Sequence, residues 1–574
     1  MKNRKLYRKI LNERIKNLKK EQREVFDIMQ RESPLQLCYV CGFGKGYILN
    51  TDLLNGIVNR NSKYYAILSH RIALNEQHIE DVFSLFAPMF GEVAFAFIGY
   101  EGGINLNDFD TKTTKKLNST LFRYNRKTNQ NITEANLIIT TTSKVVLDKF
   151  IANNQNRKII FVSTYHSADL LDGIDIDTLY CDEAHKLASN FEESYVKNGQ
   201  KSFKSNYEKI THRRRFFFAA TPKDSSENSE NTFLMNNQKI FGRRLYISHI
   251  DSVRLGYIVP CSVIRVCPED YNYIYNQNFD SVANKAHMVH KSFIEHEIRI
   301  KKKSSNPNKI AGKLLIRCSS VRRDMWPLYF ELTRLCPEIK IFACASITED
   351  GAQVSTNLVY QNGEKIEYCK RTNSFKSEVK SMSRKTYVQA IQNIPDNEPI
   401  IVLHYDTISE GINVPGFTGF MPFTDNLVKF DIWYQNLGRI IRLNKIDKKN
   451  LANGIITTDS YDGWIKPEAE IIIPYWNIKS DSAATYMANM MIELETNIGA
   501  HIVTQIPNSS DVQRGGNPPK IKIKISKDNK KRNIDGLKYE VAYSRELQRR
   551  KREEYLKGLK GMDLIERAQY FLNN

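Results

Sequence analysis

The sequence predicts an α/β protein with two parallel-sheet domains in tandem, followed by a mainly helical, basic C-terminal accessory region. Three observations lead to this fold class. Short apolar runs of strand length recur along most of the chain, the segments between them carry helix-spaced apolar residues, and the pattern changes near residue 480. Continuous rather than alternating apolar runs are typical of strands buried on both faces, as in a parallel sheet covered by helices.

The chain opens with a basic segment, residues 1–20, that we expect to form a helix. The first α/β domain is predicted over 21–250. Segments with helical spacing, such as 72–90, separate its apolar runs, as expected for strands joined by crossover helices. The predicted strands are 35–40, 64–68, 93–98, 137–141, 159–162, 178–181 and 215–219.

A second series of apolar runs predicts another α/β domain over 251–478. Within it, 272–307 has helical character, and the polar stretch 345–385 is predicted to be an irregular insertion. The accessory region follows over 479–574, with a Met/Ala-rich helix expected at 483–494. The strands predicted for the second domain are 262–266, 313–316, 339–344, 399–404 and 470–473.

The positive charge is concentrated in two flanks. The 574 residues include 84 Lys+Arg and 64 Asp+Glu, a net charge of +20. Residues 1–20 hold nine basic residues and one acid, and residues 517–574 hold sixteen and eight, so each flank carries +8 and the remainder only +4. Such flanks indicate a polyanion partner, most often nucleic acid, although a solvated helix face or a frayed tail has the same composition.

The composition also bears on location. Hydrophobic residues at 41% and charged residues at 26% are typical of globular domains and exclude wholesale disorder. No apolar run approaches the roughly 18–20 residues that span a membrane, and no secretory leader opens the chain. Nine scattered cysteines suit a reducing compartment. We therefore expect an intracellular protein that is not secreted and has no membrane partner.

The first predicted strand runs into a glycine-rich turn that contains Gly42, Gly44, Lys45 and Gly46. Glycines between a strand and a helix let backbone N–H groups surround a phosphate, and a lysine there can reach its outer oxygens. The match to a nucleotide-binding loop is imperfect, because Tyr39 replaces the first glycine and Gly46 replaces the hydroxyl residue that usually ligates Mg²⁺. Taken alone, a generic glycine turn explains these residues equally well.

Two further clusters carry chemistry. Asp182 and Glu183 end a buried strand, where adjacent carboxylates are costly unless a cation or a catalytic role explains them. Far along the chain, Arg439 and Arg442 lie three apart on one predicted helix face, and Gly438 beside them permits a close backbone approach. Two arginines on such a face could both contact the γ-phosphate of a nucleotide.

The order of these motifs resembles that of the superfamily-2 helicases and translocases. The similarity is to the DEAH-containing branch of type III restriction subunits, phage UvsW-like proteins and related viral helicases. Lys/Asn/Ile-rich composition also suits a viral or phage origin. Eight segments carry the resemblance. They are 42–46 for motif I, 66–77 for Ia, 161–167 for the segment before II, 182–185 for II, 219–222 for III, 314–323 for IV, 407–415 for V and 435–442 for VI.

This resemblance implies two RecA-like domains, with ATP and Mg²⁺ bound in the cleft between them. Lys45 would hold the phosphates, Asp182 the Mg²⁺, and Glu183 would polarise the attacking water. The γ-phosphate would be met by Gln435, Arg439 and Arg442. The resemblance also implies that ATP contacts Gln22, Gly42, Phe43, Gly44, Gly46 and Tyr47, and that the nucleic-acid backbone contacts Arg71, Thr142, Thr164 and Arg323.

We therefore expect an ATP-dependent DNA helicase or translocase. Two alternatives stay open. The first is an RNA helicase, because backbone contacts do not distinguish the two nucleic acids. The second is an ATP-gated nucleic-acid binder with weak hydrolysis, because Gly46 and Tyr39 depart from the usual loop.

Two other patterns are interpreted as structural. Cys38 and Cys41 have C-x-x-C spacing, but no second pair follows, so we expect core packing rather than zinc. His287, His290 and His296 lie in a predicted helix without a cysteine nearby, and we expect them to bind no metal.

Overall fold

A computed structural model of the chain describes seventeen segments: 4–60, 62–99, 111–128, 132–188, 203–220, 222–223, 233–266, 282–320, 324–349, 352–360, 367–369, 374–376, 381–382, 389–405, 416–423, 430–474 and 501–504. The described residues form two compact units. The first contains those of 4–39 and 44–247, and the second contains 40–43 and the described residues from 248 onwards. Each unit has its own large sheet covered by helices, which confirms the predicted fold class.

The first unit is built on an eight-stranded parallel sheet with the order β4-β3-β5-β2-β6-β7-β1-β8. All seven predicted strands are confirmed, with small changes at their ends. The edge strand β8 was not predicted. The bounds are β1 Leu35–Cys38, β2 Tyr64–Ser69, β3 Val93–Ile98, β4 Ile138–Thr141, β5 Lys158–Thr164, β6 Ile176–Asp182, β7 His212–Ala219 and β8 Arg243–Tyr246.

Helices of the first unit cover this sheet and bury apolar faces. Phe83 packs edge-to-face against Phe95 and Phe97, with ring centroids 5.0 and 5.4 Å apart. The basic segment at the start of the chain is helical, as predicted. The bounds are α1 Arg4–Lys16, α2 Lys20–Arg31, α3 Lys45–Asn59, α4 Ile72–Phe86, α5 Thr111–Thr128, α6 Glu134–Leu137, α7 Lys144–Asn153, α8 Phe203–Glu208 and α9 Gln238–Phe241.

The second unit contains a nine-stranded sheet with the order β15-β12-β11-β16-β10-β17-β18-β9-β19. Its strands are parallel except that β12 pairs antiparallel with β11 and β15. All five predicted strands are confirmed, and four are additional: β12, β15, β17 and β19. The bounds are β9 Cys261–Val266, β10 Lys313–Cys318, β11 Lys340–Glu349, β12 Ala352–Tyr360, β15 Ser381–Met382, β16 Ile400–His404, β17 Gly419–Phe423, β18 Ala469–Pro474 and β19 His501–Thr504.

The stretch 345–385 corrects one prediction. It is not irregular in its described parts, because β11 continues to Glu349, β12 follows it, and a separate antiparallel pair forms from β13 (Glu367–Cys369) and β14 (Ser374–Lys376). Polar sequence suggested a loop, but pairing between backbone groups of neighbouring strands decided the structure here.

Five α-helices of the second unit are described. A core cluster that includes Trp326, Tyr329 and Leu332 packs beneath the sheet. Of the predicted helix 272–307, residues 282–303 are helical and 267–281 lie outside the described part of the chain. The bounds are α10 His249–Arg254, α11 Val282–Lys303, α12 Trp326–Leu335, α13 Phe430–Ile440 and α14 Lys445–Ala452.

Of residues 479–574, the structure describes β19 alone, which pairs in parallel with β9. The helix predicted at 483–494 lies outside the described residues, and the domain boundaries stay predictions. Within the described segments, no helix is long and apolar enough to cross a membrane.

The strand register of the first sheet places the two segments that carry the candidate site at the same end of the sheet. Cys38 at the end of β1 is opposite Ala219 on β7, and Asp182 at the end of β6 is opposite Phe218 on the same strand. Because these strands are parallel, the segments that follow β1 and β6 leave the same edge of the sheet. This is the edge at which α/β sheets place ligands.

Candidate nucleotide-binding site

The turn after β1 has the backbone conformation that its glycines predict. Gly42 and Gly44 have φ of 100° and 93°, a region that side chains with a Cβ rarely adopt. A Cβ built on Gly44 would lie 2.6 Å from Gln22 Nε2, so this position also lacks space. Gln22 is thereby held against the turn, and its Oε1 accepts a hydrogen bond from the Lys19 N–H.

Helix α3 begins at Lys45, and Gly44 is its N-cap residue without a side-chain cap. The N–H groups of the first turn have no partner within a helix, so the N-terminus of a 15-residue helix attracts anions. The Lys45 ammonium donates a hydrogen bond to the Tyr39 carbonyl at 2.6 Å and therefore lies over the turn. Around Gly46 there is open space, because a Cβ built there meets no atom within 4 Å.

The carboxylates at the end of β6 are held in different ways. Asp182 Oδ1 accepts a hydrogen bond from the Glu183 N–H at 3.0 Å, and its Oδ2 lies 2.9 Å from His78 Nε2. The Tyr165 hydroxyl donates to the Asp182 carbonyl at 2.8 Å. Burial acts to lower the pKa of His78, but the hydrogen bond and charge of Asp182 outweigh it and raise the pKa. His78 was missed by the sequence reasoning, since it lies 104 residues away.

Glu183 has a φ of 50°, a strained conformation for a residue with a side chain. Its Oε2 lies 3.3 Å from His185 Nδ1. Burial acts to raise the pKa of Glu183, but His185, Lys45 and His70 together outweigh burial and lower it to about 2. Glu183 is therefore a carboxylate at neutral pH. Because the positive charge of Lys45 helps to lower the pKa of Glu183, the start of α3 and the end of β6 interact electrostatically.

These residues fit a hydrated Mg²⁺ ion better than a fully protein-ligated metal. Within the described segments, no group of three or more His, Cys, Asp or Glu side chains could hold a metal. Mg²⁺ commonly keeps several waters and takes one or two carboxylates together with substrate phosphates. Asp182 supplies such a carboxylate, and Gly46 leaves room for a water where a hydroxyl would otherwise be.

In the second unit, α13 carries Gln435 and Arg439 but ends at Ile440, so Arg442 lies just after the helix. The prediction that the two arginines share one helix face is therefore wrong. Arg439 is buried, and the half-buried Arg442 donates from Nε to the Gly438 carbonyl at 3.1 Å. A buried oxygen, Oε1 of Gln435, receives no hydrogen bond from the described residues. The close approach expected at Gly438 is confirmed, because a Cβ there would lie 2.6 Å from the Cβ of Cys41, which groups with this unit.

A buried histidine near α13 was not predicted. His404 ends β16, and its buried side chain lies close enough to Asn436 on α13 for that residue to influence its pKa. Burial and the charges of Arg317 and Arg439 lower the pKa of His404 to about 3, so it is neutral at physiological pH. A histidine at a strand end is the only signal that the sequence offers for this position.

Lys466 was also missed. Its buried ammonium donates to the carbonyls of Phe417 at 2.7 Å, of Arg442 at 2.8 Å, and of Ile440. Two of these carbonyls belong to the last turn of α13 and the residues just after it, so Lys466 caps the helix that carries Arg439. Burial lowers the pKa of Lys466 to about 7, although Asp396 and Asp447 act to raise it.

The predicted nucleic-acid residues of the first unit follow three parallel strands. Arg71 is the N-cap of α4 after β2, Thr142 is exposed after β4, and Thr164 ends β5, with its Oγ1 3.4 Å from Ser167 Oγ. They therefore lie along the sheet edge that also carries Asp182. The predicted residue Arg323, the segment 407–415 and Thr221 lie outside the described residues.

Comparison with known proteins supports the fold. No protein-family model and no curated protein matches the chain. Its structure resembles the ATP-dependent type ISP restriction-modification enzyme LlaBIII bound to DNA, with a TM-score of 0.51 and 12% identity over 86% of this chain and 32% of that chain. It also matches a fragment assigned as an HsdR subunit of a type I restriction enzyme from Vibrio vulnificus YJ016, with a TM-score of 0.37 and 13% identity over 79% of this chain and 67% of that one.

At this identity the first likeness shows a shared fold alone, two parallel-sheet α/β domains in tandem, as in RecA-like proteins. The chain spans about a third of the length of that enzyme. The narrower resemblance to DEAH-containing and UvsW-like proteins stays a prediction.

Proposed function

We propose that the chain is an ATP-dependent motor on nucleic acid, a DNA helicase or translocase that uses ATP and Mg²⁺. One observation carries the proposal. Lys45, on a glycine turn at a helix N-terminus, and the carboxylates Asp182 and Glu183 leave the same edge of one parallel sheet. The DNA-bound restriction enzyme with a similar fold supports DNA as the track.

In this proposal each residue of the first unit has a separate role. Lys45 and the N–H groups at the start of α3 bind the triphosphate, because a cation and a helix N-terminus both attract its charge. Asp182 holds Mg²⁺, which when bound neutralises phosphate charge. Glu183 is ionised and accepts a hydrogen bond from the attacking water, which orients the water toward the γ-phosphate.

For the second unit we propose that Gln435, Arg439 and Arg442 interact with the γ-phosphate, since planar guanidinium groups match phosphate oxygens. The capped end of α13 supports this role, because Lys466 fixes the backbone at Arg442. The nucleic-acid backbone would be bound by Arg71, Thr142, Thr164 and Arg323, in contacts that set position rather than sequence.

The proposal is tested by measuring ATP hydrolysis without nucleic acid and with single-stranded DNA, duplex DNA, branched DNA and RNA of one sequence. We expect stimulation by DNA. Glu183→Gln should reduce stimulated turnover by roughly 100-fold or more, the usual contribution of a positioned base. Arg442→Ala should also abolish the stimulation. As a control, Glu208→Gln, at an exposed carboxylate of the first unit, should hydrolyse ATP like the wild type.

Several results would contradict the proposal: no hydrolysis by the wild type, or full stimulated turnover in Glu183→Gln or Arg442→Ala. Stimulation by RNA alone would change the track to RNA.

A second candidate function, an ATP-gated binder with weak hydrolysis, is favoured by one observation, the missing hydroxyl at Gly46. ATP-dependent nucleic-acid binding without turnover would support it.

A further inference from the structure

Helix α1 has two chemically opposite faces. Tyr7 and Leu11 lie four residues apart on α1 and are buried, with 1% and 3% exposure, and Leu18, just after the helix, is buried with 6% exposure. On the other side, the exposed residues Lys5, Arg8, Lys9, Asn12 and Lys16 recur at intervals of three, four, seven and eleven. We call these five residues the α1 stripe. It carries four cations, and the one acid beside it is Glu13.

The helix is fixed to the first unit rather than tethered to it. The Tyr7 hydroxyl donates to Glu92 Oε1 at 3.1 Å. Arg14 turns inward, with its guanidinium 3.9 Å from the centre of the Tyr47 ring, and donates to Thr51 Oγ1 at 3.3 Å. In return, the Tyr47 hydroxyl donates to the Arg14 carbonyl at 3.3 Å. Since Tyr47 lies in the first turn of α3, α1 is anchored directly beside the candidate phosphate loop.

The cations of the α1 stripe differ from the paired lysines of α7, α8 and α11. On α7, α8 and α11, half-buried lysines pair with acids four residues away, as in Lys144–Asp148 at 3.0 Å. None of the four stripe cations has a described carboxylate within 4.0 Å, although Lys9 and Glu13 have the same spacing. An anchored helix that leaves a row of cations without carboxylate partners is preorganised for an external polyanion.

We propose that the α1 stripe binds the phosphate backbone of nucleic acid. Lys5 and Lys16 are eleven residues apart, so the stripe is roughly 16 Å long at about 1.5 Å per residue. Duplex DNA carries about nine phosphate charges over this length. The apolar face of α1 is already buried in the first unit, which argues against insertion into a membrane. The inference rests on the proposed function for its partner and names the surface that binds it.

The test removes the charges and keeps the helix. In the stripe variant, Lys5, Arg8, Lys9 and Lys16 are replaced by Gln, which has similar helix propensity. The control variant replaces Lys302, Lys445, Lys448 and Lys449 by Gln, which removes the same charge from α11 and α14. Binding of a labelled DNA of about 30 nucleotides, single-stranded and duplex, is measured by fluorescence anisotropy between about 50 and 300 mM salt. Circular dichroism first checks that the variants have equal helix content.

We expect the stripe variant to bind roughly 10- to 100-fold more weakly at about 100 mM salt, and its log K against log salt slope to fall by about 2–3, because each phosphate contact contributes about 0.7–0.9. The control should stay near the wild type. Equal affinity and slope in the two variants would overturn the inference. Wild-type protein that binds no nucleic acid would instead contradict the proposed function. Preferred binding to phosphatidylserine vesicles, abolished in the stripe variant, would overturn the inference in favour of a lipid partner.

Discussion

Gly46 is the residue at which the candidate phosphate loop departs most from the pattern it resembles. It lies in the first turn of α3, and a Cβ at this position would meet no atom within 4 Å. The missing hydroxyl is therefore not imposed by crowding. The loop glycine Gly44 is different, because its positive φ disfavours a side chain and a Cβ would displace the nearby Gln22 amide.

This difference predicts the outcome of Gly46→Ser with Gly46→Ala as its control. Both substitutions should stabilise the chain by up to about 1 kcal/mol, since glycine is a poor helix residue. The serine variant alone should reach half-maximal ATP hydrolysis at a lower Mg²⁺ concentration, because it restores a hydroxyl ligand. Thermal unfolding and Mg²⁺ titrations of turnover measure the two effects. Identical Mg²⁺ dependence in the two variants would argue against a metal beside α3.

A candidate site residue was predictable when the evidence for it lies in neighbouring residues of the sequence. Lys45, Asp182 and Glu183 stand beside strand ends and were found from neighbouring residues alone. His78, His404 and Lys466 were not found, because their roles arise from side chains or carbonyls that are distant in sequence. His296 shows the same limit. It bridges Glu470 and Thr418 in a buried network, which a search for metal ligands could not foresee.

At the scale of elements, strands that carry a continuous apolar run were predictable, and strands without such a run were missed. The missed strand β17 contains Gly419 and Pro422, residues that argue against a strand, yet it lies between β10 and β18. The missed β8 is a four-residue edge strand with two arginines. The missed β12 is polar and antiparallel. In each case pairing with distant strands decided the structure, and the local sequence pattern did not report it.

The end of α13 gives a prediction at this scale. Lys466 binds two backbone carbonyls there and the carbonyl of Phe417, so Lys466→Met should destabilise the chain by roughly 1–3 kcal/mol through buried carbonyls left unpaired. The destabilisation should grow with pH. Below about pH 7 both folded and unfolded chains hold the Lys466 proton, and between about pH 7 and 10 only the unfolded chain holds it, so the wild type gains stability as pH rises.

Urea unfolding of both proteins at about pH 6, 7.5 and 9 measures this difference. The wild type should gain up to about 1.4 kcal/mol per pH unit over the variant above pH 7. Other titrating groups, including Asp396 and Asp447 near the ammonium, largely cancel in the comparison. Stability curves that stay parallel over this range of pH would show that Lys466 keeps an ordinary pKa and does not act as the buried cap described above.

At the scale of the whole molecule, the fold class was predictable because two long series of buried strands each require a covered sheet. The structure also shows where part of the positive charge is held in place. Of the two basic flanks, the N-terminal one contains α1, and the four cations of the α1 stripe line one face of this anchored helix. The remaining excess lies in 517–574, and the residues between the flanks carry only +4.

Removal of 517–574 tests how this charge is used. The segment contributes +8, so its deletion should weaken DNA binding and lower the slope of log K against log salt by about 0.7–0.9 for each phosphate that the protein no longer neutralises. If the α1 stripe and the tail bind separate phosphates, combining the deletion with the stripe substitutions should reduce the slope by the sum of the two separate changes. Anisotropy titrations of the four proteins give these slopes. A slope that the deletion leaves unchanged would show that the tail charge serves solubility rather than attachment, whereas a combined effect smaller than the sum would place both flanks on the same phosphates.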